Sequence, residues 1–196
     1  MYLNKEGGFI SKKNSNLKST SMSQANSILR WTELLPLACE LGGASGAAMF
    51  TGASIYINAC AVPMILSMST KKEAVDVWDK MYNFTAVYQG SIAVFSSAAC
   101  LSAGYLTSHR AWYLSAGLMA SIVPFTMLVI MPTNNRLKAI AKANREPSGS
   151  DDSASSVKRD EQVTGLVELW NSLHAVRSVI SFVALSCALW ELKRGA

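Results

Sequence analysis

The sequence predicts an all-α fold, an integral membrane four-helix bundle, and three observations lead to it. Half of the 196 residues are hydrophobic and only 16% are charged. The mean hydropathy is positive, at +0.21, which is typical of small membrane proteins rather than soluble domains. Four apolar stretches reach the length of about 20 residues that a membrane-spanning helix needs, at about 35–57, 84–106, 111–131 and 166–190.

The chain divides into a polar N-terminal segment and one transmembrane domain. Residues 1–32 are rich in Lys, Ser and Asn and have no compact apolar core before a cleavage site. They predict a flexible segment without a removable signal peptide. Residues 33–196 hold the four spans, and within them residues 144–160 combine Pro, Gly, two adjacent Asp and several Ser. This composition predicts a disordered loop.

The first span and the segment after it carry signals for helix packing. Gly42 and Gly46 have the four-residue spacing that lets two helices approach closely. Packing within the bundle is the favoured interpretation, and a homo-oligomer contact is the alternative. Pro63 predicts a break in the helix. Residues 70–82 then predict an amphipathic segment at the membrane interface, with Trp78 as its anchor.

The charges indicate a membrane partner but not an orientation. Eight Lys and Arg residues fall on the side of the N-terminus and nine on the other side, with Arg177 inside the membrane. The positive-inside rule therefore leaves the orientation open. The net charge of +5 is spread over termini and loops without interleaved aromatic residues. This pattern favours contact with lipid headgroups and argues against nucleic-acid binding.

Several cofactor chemistries are disfavoured by the residue pattern. The four cysteines occur singly, without a Cys-x-x-Cys pair, which argues against a membrane thiol oxidoreductase. His109 and His174 are predicted on opposite sides of the membrane and cannot jointly hold haem or iron. No glycine-rich dinucleotide motif is present. We therefore expect an enzyme, if this is one, to work without a metal or a tightly held cofactor.

The fourth span contains polar side chains that a lipid-facing helix would avoid. Trp170, His174 and Arg177 lie along one helix face, with Asn171 just beside it. Ionisable groups inside a membrane usually mark a site or a buried pair. For His174, a functional role and a structural hydrogen bond between helices are both open. The long side chain of Arg177 can also extend to the headgroups.

Antiparallel spans bring three further segments to the same membrane face as the start of the fourth span: the end of the first, the start of the second and the end of the third. Their polar residues give the candidates Asn58, Tyr88, Asn134 and Asn135. Asn and Tyr at helix ends are also common in the headgroup zone without any function. That explanation is favoured for Tyr56, Tyr82, Asn83, Tyr88 and Gln89.

Three motifs resemble those of the anthrone oxygenase family of small membrane proteins. They are VPFT at 123–126, MPTNNRL at 131–137 and WxxLHxxRS at 170–178, within a similarity that covers about residues 34–190. The resemblance implies a cofactor-independent oxygenase that uses O2 to convert an anthrone to an anthraquinone in an aromatic polyketide pathway. It also favours the endoplasmic reticulum or another endomembrane. Asn135 departs from the acidic residue that family members often have there.

The resemblance and the residue pattern together suggest roles for the polar side chains. His174 is the predicted base, and Arg177 and Asn134 are predicted to stabilise an oxyanion. Trp170 is predicted to stack on a flat, lipophilic aromatic substrate. Further predicted substrate contacts are Asn58, Tyr88, Asn135 and Asn171. Two alternatives stay open, a membrane cyclase or isomerase of a polyketide or terpenoid pathway and a non-enzymatic membrane subunit.

Overall fold

The structure, a computed structural model, describes residues 7–145 and 153–195, and nearly all of them are helical. The elements in chain order are α1 (Gly7–Tyr56), a first π-helical turn (Ile57–Ala61), α2 (Val62–Leu66), α3 (Lys71–Thr107), α4 (Arg110–Phe125), a second π-helical turn (Thr126–Ile130), α5 (Met131–Arg145) and α6 (Ser153–Gly195). No strand occurs in the described ranges. The predicted all-α class is therefore confirmed.

Four helical segments are long and apolar enough to cross a membrane. They are Leu34–Leu66, Lys71–Thr107, Arg110–Arg145 and Val157–Arg194. The span count agrees with the prediction, but the segments are longer than predicted. The reason is that polar flanking residues continue the helices beyond the apolar runs.

The predicted N-terminal segment and loop are only partly covered by the described residues. Residues 1–6 and 146–152 lie outside them. Residues 7–32, predicted to be flexible, belong to α1, and residues 153–160, predicted to be disordered, belong to α6. The helix starts early because Val163, Leu166 and Val167, which precede or open the predicted span, are buried and extend its packed face.

The chain forms two compact units, residues 1–38 and residues 39–196. Within the second unit, α3 packs on α4, α4 packs on α6, and α5 contacts both α3 and α6. The buried side chains form three clusters along the bundle. The cluster that contains Trp78 and Trp170 surrounds the end where the first span finishes and α6 begins.

Pro63 does not break the first helix as predicted; the helix widens instead. Proline has no N–H, and its ring clashes with the carbonyl four residues earlier. The residue before it, Val62, donates its N–H five residues back to the Ile57 carbonyl, which makes the turn Ile57–Ala61 π-helical. The helix then continues through α2.

The second π-helical turn, Thr126–Ile130, repeats this arrangement in the third span. Pro132 follows it by one residue, and Met131, the residue before the proline, donates its N–H to the Thr126 carbonyl. Both turns therefore precede a proline at the same spacing. Single π-helical turns inside α-helices are frequent at functional sites because they re-aim side chains.

The segment 70–82, predicted to be amphipathic and interfacial, forms the start of α3. Thr70 caps this helix, since its hydroxyl accepts a hydrogen bond from the Glu73 N–H at 3.3 Å. Trp78 is fully buried and is not an interfacial anchor. Its ring stacks on Tyr82 at a centroid distance of 5.2 Å and meets Trp170 edge-on at 5.7 Å.

The small residues of the first span pack within the bundle, as the favoured interpretation held. A Cβ added at Gly46 would lie 2.8 Å from the Ser96 Cβ, and one added at Gly43 would lie 2.6 Å from the Cys100 sulfur. The Ser96 hydroxyl also donates to the Gly43 carbonyl at 2.8 Å. Gly42, the other member of the predicted pair, has more room. Gly43 and Gly46 thus set the close approach of the first span to α3.

Candidate functional site

A hydrogen-bond network centred on Asn58 joins the first span to α6. The first π-helical turn carries Asn58 toward the bundle interior, where its amide nitrogen donates to the Asn171 carbonyl at 2.9 Å and to the Asn171 side-chain oxygen at 2.7 Å. The Asn58 side-chain oxygen accepts from the Ser178 hydroxyl at 2.8 Å and lies 3.0 Å from His174 Nδ1. One amide therefore contacts three residues of α6.

This network determines which nitrogen of His174 carries the proton. The Asn171 carbonyl is only an acceptor, so it requires the amide nitrogen of Asn58 on its side. The Asn58 oxygen then faces His174, and Nδ1 must donate to it. In the neutral imidazole, Nε2 keeps its lone pair, and Nε2 has no hydrogen-bond partner among the described residues. His174 is 1% exposed.

A second chain of hydrogen bonds links α6, α5 and α3. The Trp170 indole N–H donates to the side-chain oxygen of Asn134 at 2.7 Å. The Asn134 amide nitrogen donates in turn to the Tyr82 hydroxyl oxygen at 3.1 Å. Since the Tyr82 oxygen accepts this bond, its own proton is free to be donated elsewhere. Asn134 thereby holds the tryptophan and the tyrosine in fixed orientations.

Arg177 is a buried cation with an incomplete set of partners. It is 8% exposed, and one of its terminal nitrogens donates to the Gln89 side-chain oxygen at 2.9 Å. Its guanidinium carbon lies 5.3 Å from the centre of the Phe50 ring. Its Nε has no hydrogen-bond partner in the described part of the chain. No carboxylate of the described residues forms an ion pair with it.

A cavity of about 190 Å³ lies against Arg177. Its wall is mostly apolar, with polar atoms contributed by a few side chains that include Tyr82 and Gln89; Trp170 forms part of the same wall. Residues of α3 and of the third span make up most of the remaining lining: Thr85, Ala86, Gly90, Ala93, Ile122, Val123, Thr126, Met127 and Met131. An apolar pocket with a few convergent polar groups is the usual form of a small-molecule site.

An ionic cluster lies next to Tyr82 at the same end of the bundle. The buried carboxylate of Asp79 pairs with Arg145 at 2.6 Å and with Lys138 at 3.5 Å. Asn83 bonds both Asp79 and Lys138. The Lys138 ammonium lies 4.9 Å from the centre of the Tyr82 ring, opposite the stacked Trp78. These pairs tie α3 to α5 and hold the tyrosine ring between a cation and an indole.

The predicted site residues either line the cavity, belong to the hydrogen-bond networks, or do neither. Arg177 and Trp170 line the cavity, whereas His174 does not; its ring packs on Trp170 at 4.9 Å. Asn58, Asn134 and Asn171 belong to the hydrogen-bond networks behind these residues.

Two predicted substrate contacts, Tyr88 and Asn135, do not line the cavity. Tyr88 is 43% exposed, and Asn135 is exposed on the outer face of α5. Adjacent residues on a helix point about 100° apart, and with Gln89 and Asn134 turned into the bundle, Tyr88 and Asn135 point to its outside. The structure selects Gln89 over Tyr88 and Asn134 over Asn135.

Sequence reasoning attributed Tyr82 and Gln89 to the headgroup zone, but both lie in the site. It also missed Asp79 and Phe50. A signal for Asp79 exists in hindsight, because Asp79 and Asn83 lie four residues apart on one helix face. Nothing in the sequence indicates that Phe50 lies under Arg177. Across the described residues, no group of three His, Cys, Asp or Glu side chains could hold a metal ion.

Comparison with known proteins identifies relatives. The family model for anthrone oxygenase matches residues 78–187. An anthrone oxygenase of Pestalotiopsis fici is 36% identical over 42% of this chain, which spans 57% of that relative's length. One of Claviceps purpurea is 28% identical over 74% of this chain and 83% of its own.

A third relative, an anthrone oxygenase of Paecilomyces divaricatus, is 30% identical over 66% of this chain and 80% of its own. No solved structure matches the chain. The matched region contains Trp78, Asp79, Asn134, Trp170 and Arg177, and so most of the site described above. On this evidence the chain belongs to the anthrone oxygenase family.

Proposed function

We propose that this protein is a cofactor-independent membrane oxygenase that oxidises an anthrone-type aromatic polyketide to a quinone with O2. The observation that carries the proposal is the buried guanidinium of Arg177, which faces an apolar cavity without a carboxylate partner. Family membership supports an aromatic small-molecule substrate. We further propose an endoplasmic reticulum or other endomembrane location, where flat lipophilic substrates and O2 both partition into lipid.

The isolation of Arg177 supports an anionic ligand. A buried charge is costly unless it is paired. Gln89 satisfies one terminal nitrogen, and Nε stays open. An anion bound in the cavity would complete the set. A neutral lipid chain would leave the charge unbalanced.

An anthrolate, the anion of an anthrone, fits this requirement. Loss of a proton from the central methylene of an anthrone puts negative charge on the opposite carbonyl oxygen. Arg177 would bind that oxygen, and the free hydroxyl proton of Tyr82 would donate a second hydrogen bond. A charged donor aimed at developing charge in a water-poor pocket is worth about 3 kcal/mol, and a neutral hydroxyl about 1.4 kcal/mol. Trp170 offers a flat face for the rings.

His174 is the proposed base. Its Nδ1 donates to Asn58, which leaves the Nε2 lone pair for a proton. Since His174 lies behind Trp170 relative to the cavity, a shift of the Trp170 ring or a bridging water must connect Nε2 with the substrate. Asn134 acts in this scheme by orienting Tyr82 and Trp170 and so has a positioning role in place of the oxyanion contact predicted for it.

The reaction balances without any other reagent. The anthrolate gives one electron to O2, forming an anthrone radical and superoxide, and these combine at the methylene carbon. Protonation by the imidazolium gives a hydroperoxide. Removal of the remaining hydrogen on that carbon, with cleavage of the O–O bond and departure of hydroxide, leaves a carbonyl. One methylene and one O2 thus become one carbonyl and one water.

The test is O2 uptake and quinone formation by detergent-purified protein with emodin anthrone, beside the spontaneous rate. We expect uptake above background in the native chain and a loss of at least 100-fold in His174→Ala. His109→Ala, on the exposed histidine of the other end, serves as the matched control. Full activity in folded His174→Ala would refute His174 as the base.

Two alternatives are separated by the same experiment. A cyclase or isomerase would consume substrate without O2 uptake. The observation behind the second alternative, a non-enzymatic subunit, is that His174 and Ser178 bond Asn58 between helices. In such a subunit these bonds would serve assembly alone. In that case, the native protein would show no turnover, and His174→Ala would lower thermal stability.

A further inference from the structure

The cavity has one side that opens to the outside of the bundle. Of its lining residues, Ala86 on α3 and Val123 and Met127 on the third span are exposed, Val123 by 40% and Met127 by 57%. All three are apolar and lie within segments that can cross a membrane. In a bilayer, the surroundings of this side are lipid chains and not water.

The inner and outer parts of the cavity differ in chemistry. The inner wall holds Arg177, Gln89 and Tyr82, while the outer wall is apolar except for Thr126, whose hydroxyl donates to the Ile122 carbonyl at 2.7 Å. A ligand with one anionic oxygen on a flat apolar ring system would match this gradient, with its oxygen inward and its rings toward the lipid.

Gly90 occupies the α3 side of this outer wall. A Cβ added there would meet no atom within 4 Å, so neither packing nor backbone conformation requires glycine. A glycine inside a helix lowers stability by about 1 kcal/mol relative to alanine. At this position, the missing side chain leaves free space in the outer wall. Gly117 is equally open, but it does not line the cavity.

The opposite side of the opening is formed by the second π-helical turn. Thr126 and Met127, both lining residues, are the first two residues of this turn. The extra residue of a π-helical turn bulges outward locally. The opening therefore has a glycine on one side and a widened helix turn on the other.

We propose that the substrate enters the cavity sideways from the bilayer, between α3 and the second π-helical turn, and that Gly90 sets the width of this entrance. The inference rests on the proposed function for the identity of the substrate. It makes Gly90 a specificity-determining residue for planar aromatic ligands.

The first experiment compares Gly90→Leu with Gly117→Leu. Binding is measured as the thermal stabilisation of the purified protein by emodin, the quinone product, and turnover is measured with emodin anthrone. In Gly90→Leu we expect at least 10-fold weaker binding and a similar loss of turnover, since the leucine fills the opening. Gly117→Leu should match the native protein, because its added side chain lies away from the cavity.

The outcomes separate this inference from the proposed function. Native-like emodin binding by Gly90→Leu would overturn the entrance, even if the native protein oxidises anthrone. The native protein could instead bind emodin without oxidising anthrone, while Gly90→Leu no longer binds emodin. That result would support the entrance and reject the proposed function.

A second experiment plugs the entrance from the lipid side. Met127→Cys and Leu128→Cys place thiols on adjacent, lipid-exposed positions, of which only Met127 lines the cavity. Each variant is compared before and after reaction with N-phenylmaleimide, and the native chain, which contains four cysteines, is treated in the same way. We expect labelling to lower turnover at least 10-fold more in Met127→Cys than in Leu128→Cys. Equal losses in the two variants would contradict a lateral entrance.

Discussion

Two parts of the bundle use polar side chains in opposite ways. In the part that we call the packed end, around Gly43, Ser96, Cys100, Trp112 and Ser115, each serine hydroxyl is turned to a backbone carbonyl. Ser96 bonds Gly43, and Ser115 bonds the Ala184 carbonyl at 2.9 Å. Trp112 leaves one neutral N–H without a partner, but no cation is buried there among the described residues.

In the part that we call the polar end, around Asn58, Tyr82, Asn134, His174 and Arg177, side chains bond to other side chains. Among the described residues, these networks leave His174 Nε2 without a donor. They also leave the Tyr82 hydroxyl proton and the Arg177 Nε–H without an acceptor. A cavity borders the last two. The hydrogen bonds of the packed end join helices, whereas those of the polar end, in the proposed function, orient donors toward a ligand.

The largest effect on the difference between the two ends is expected for Arg177→Met. We expect turnover to fall at least 100-fold, equivalent to about 3 kcal/mol of transition-state stabilisation. Thermal stability should stay equal or rise, because an apolar side chain of similar length replaces an unpaired buried cation. The assays are anthrone turnover and thermal unfolding in detergent. Arg136→Met, on the exposed face of α5, is the matched control and should change neither quantity.

At the packed end the opposite response is expected. Gly46→Ala should lower the free energy of unfolding by about 2 kcal/mol, because its methyl group would overlap Ser96. The activity of the remaining folded protein should be retained. Gly52→Ala, which has open space, should not destabilise. Equal unfolding temperatures for the two variants would show that the contact between Gly46 and Ser96 leaves room for a methyl group.

Tyr82→Phe tests whether the free hydroxyl proton is used by a ligand. We expect turnover to fall about 10-fold, as for the loss of one hydrogen bond of about 1.4 kcal/mol. Stability should change less, because the ring still stacks on Trp78. Tyr105→Phe, on the exposed surface of α3, is the control for tyrosine chemistry in general. A turnover loss that is equal in both variants would argue against a specific role for Tyr82.

The smallest effect is expected for Asp79→Asn, which weakens the ion pairs beside the polar end. Since Arg145 is about half exposed, its charge can be solvated, and we expect a loss of only about 1 kcal/mol in stability. The difference from the native protein should shrink in 1 M salt because ions screen exposed charges. Unfolding at low and high salt measures both. Glu161→Gln, an exposed carboxylate on α6, should show no such change.

Much of the fold follows from hydropathy alone. Four apolar runs in a chain of this length predict four spans, because a bilayer requires each backbone polar group to be bonded within a helix. Helix ends were less predictable, since polar residues at 132–145 and 153–165 are helical. The effect of Pro63 was misjudged, because the helix forms a π-helical turn before this proline and ends only at Leu66.

Three site residues could be predicted from the sequence alone, because they are unusual in an apolar run: Trp170, His174 and Arg177. Their partners depended on the tertiary structure. Gln89 rather than Tyr88, and Asn134 rather than Asn135, face inward because the rotation of each helix is decided by packing against its neighbours. Helical periodicity gives spacing along one helix, but the register between helices is a property of the assembled bundle.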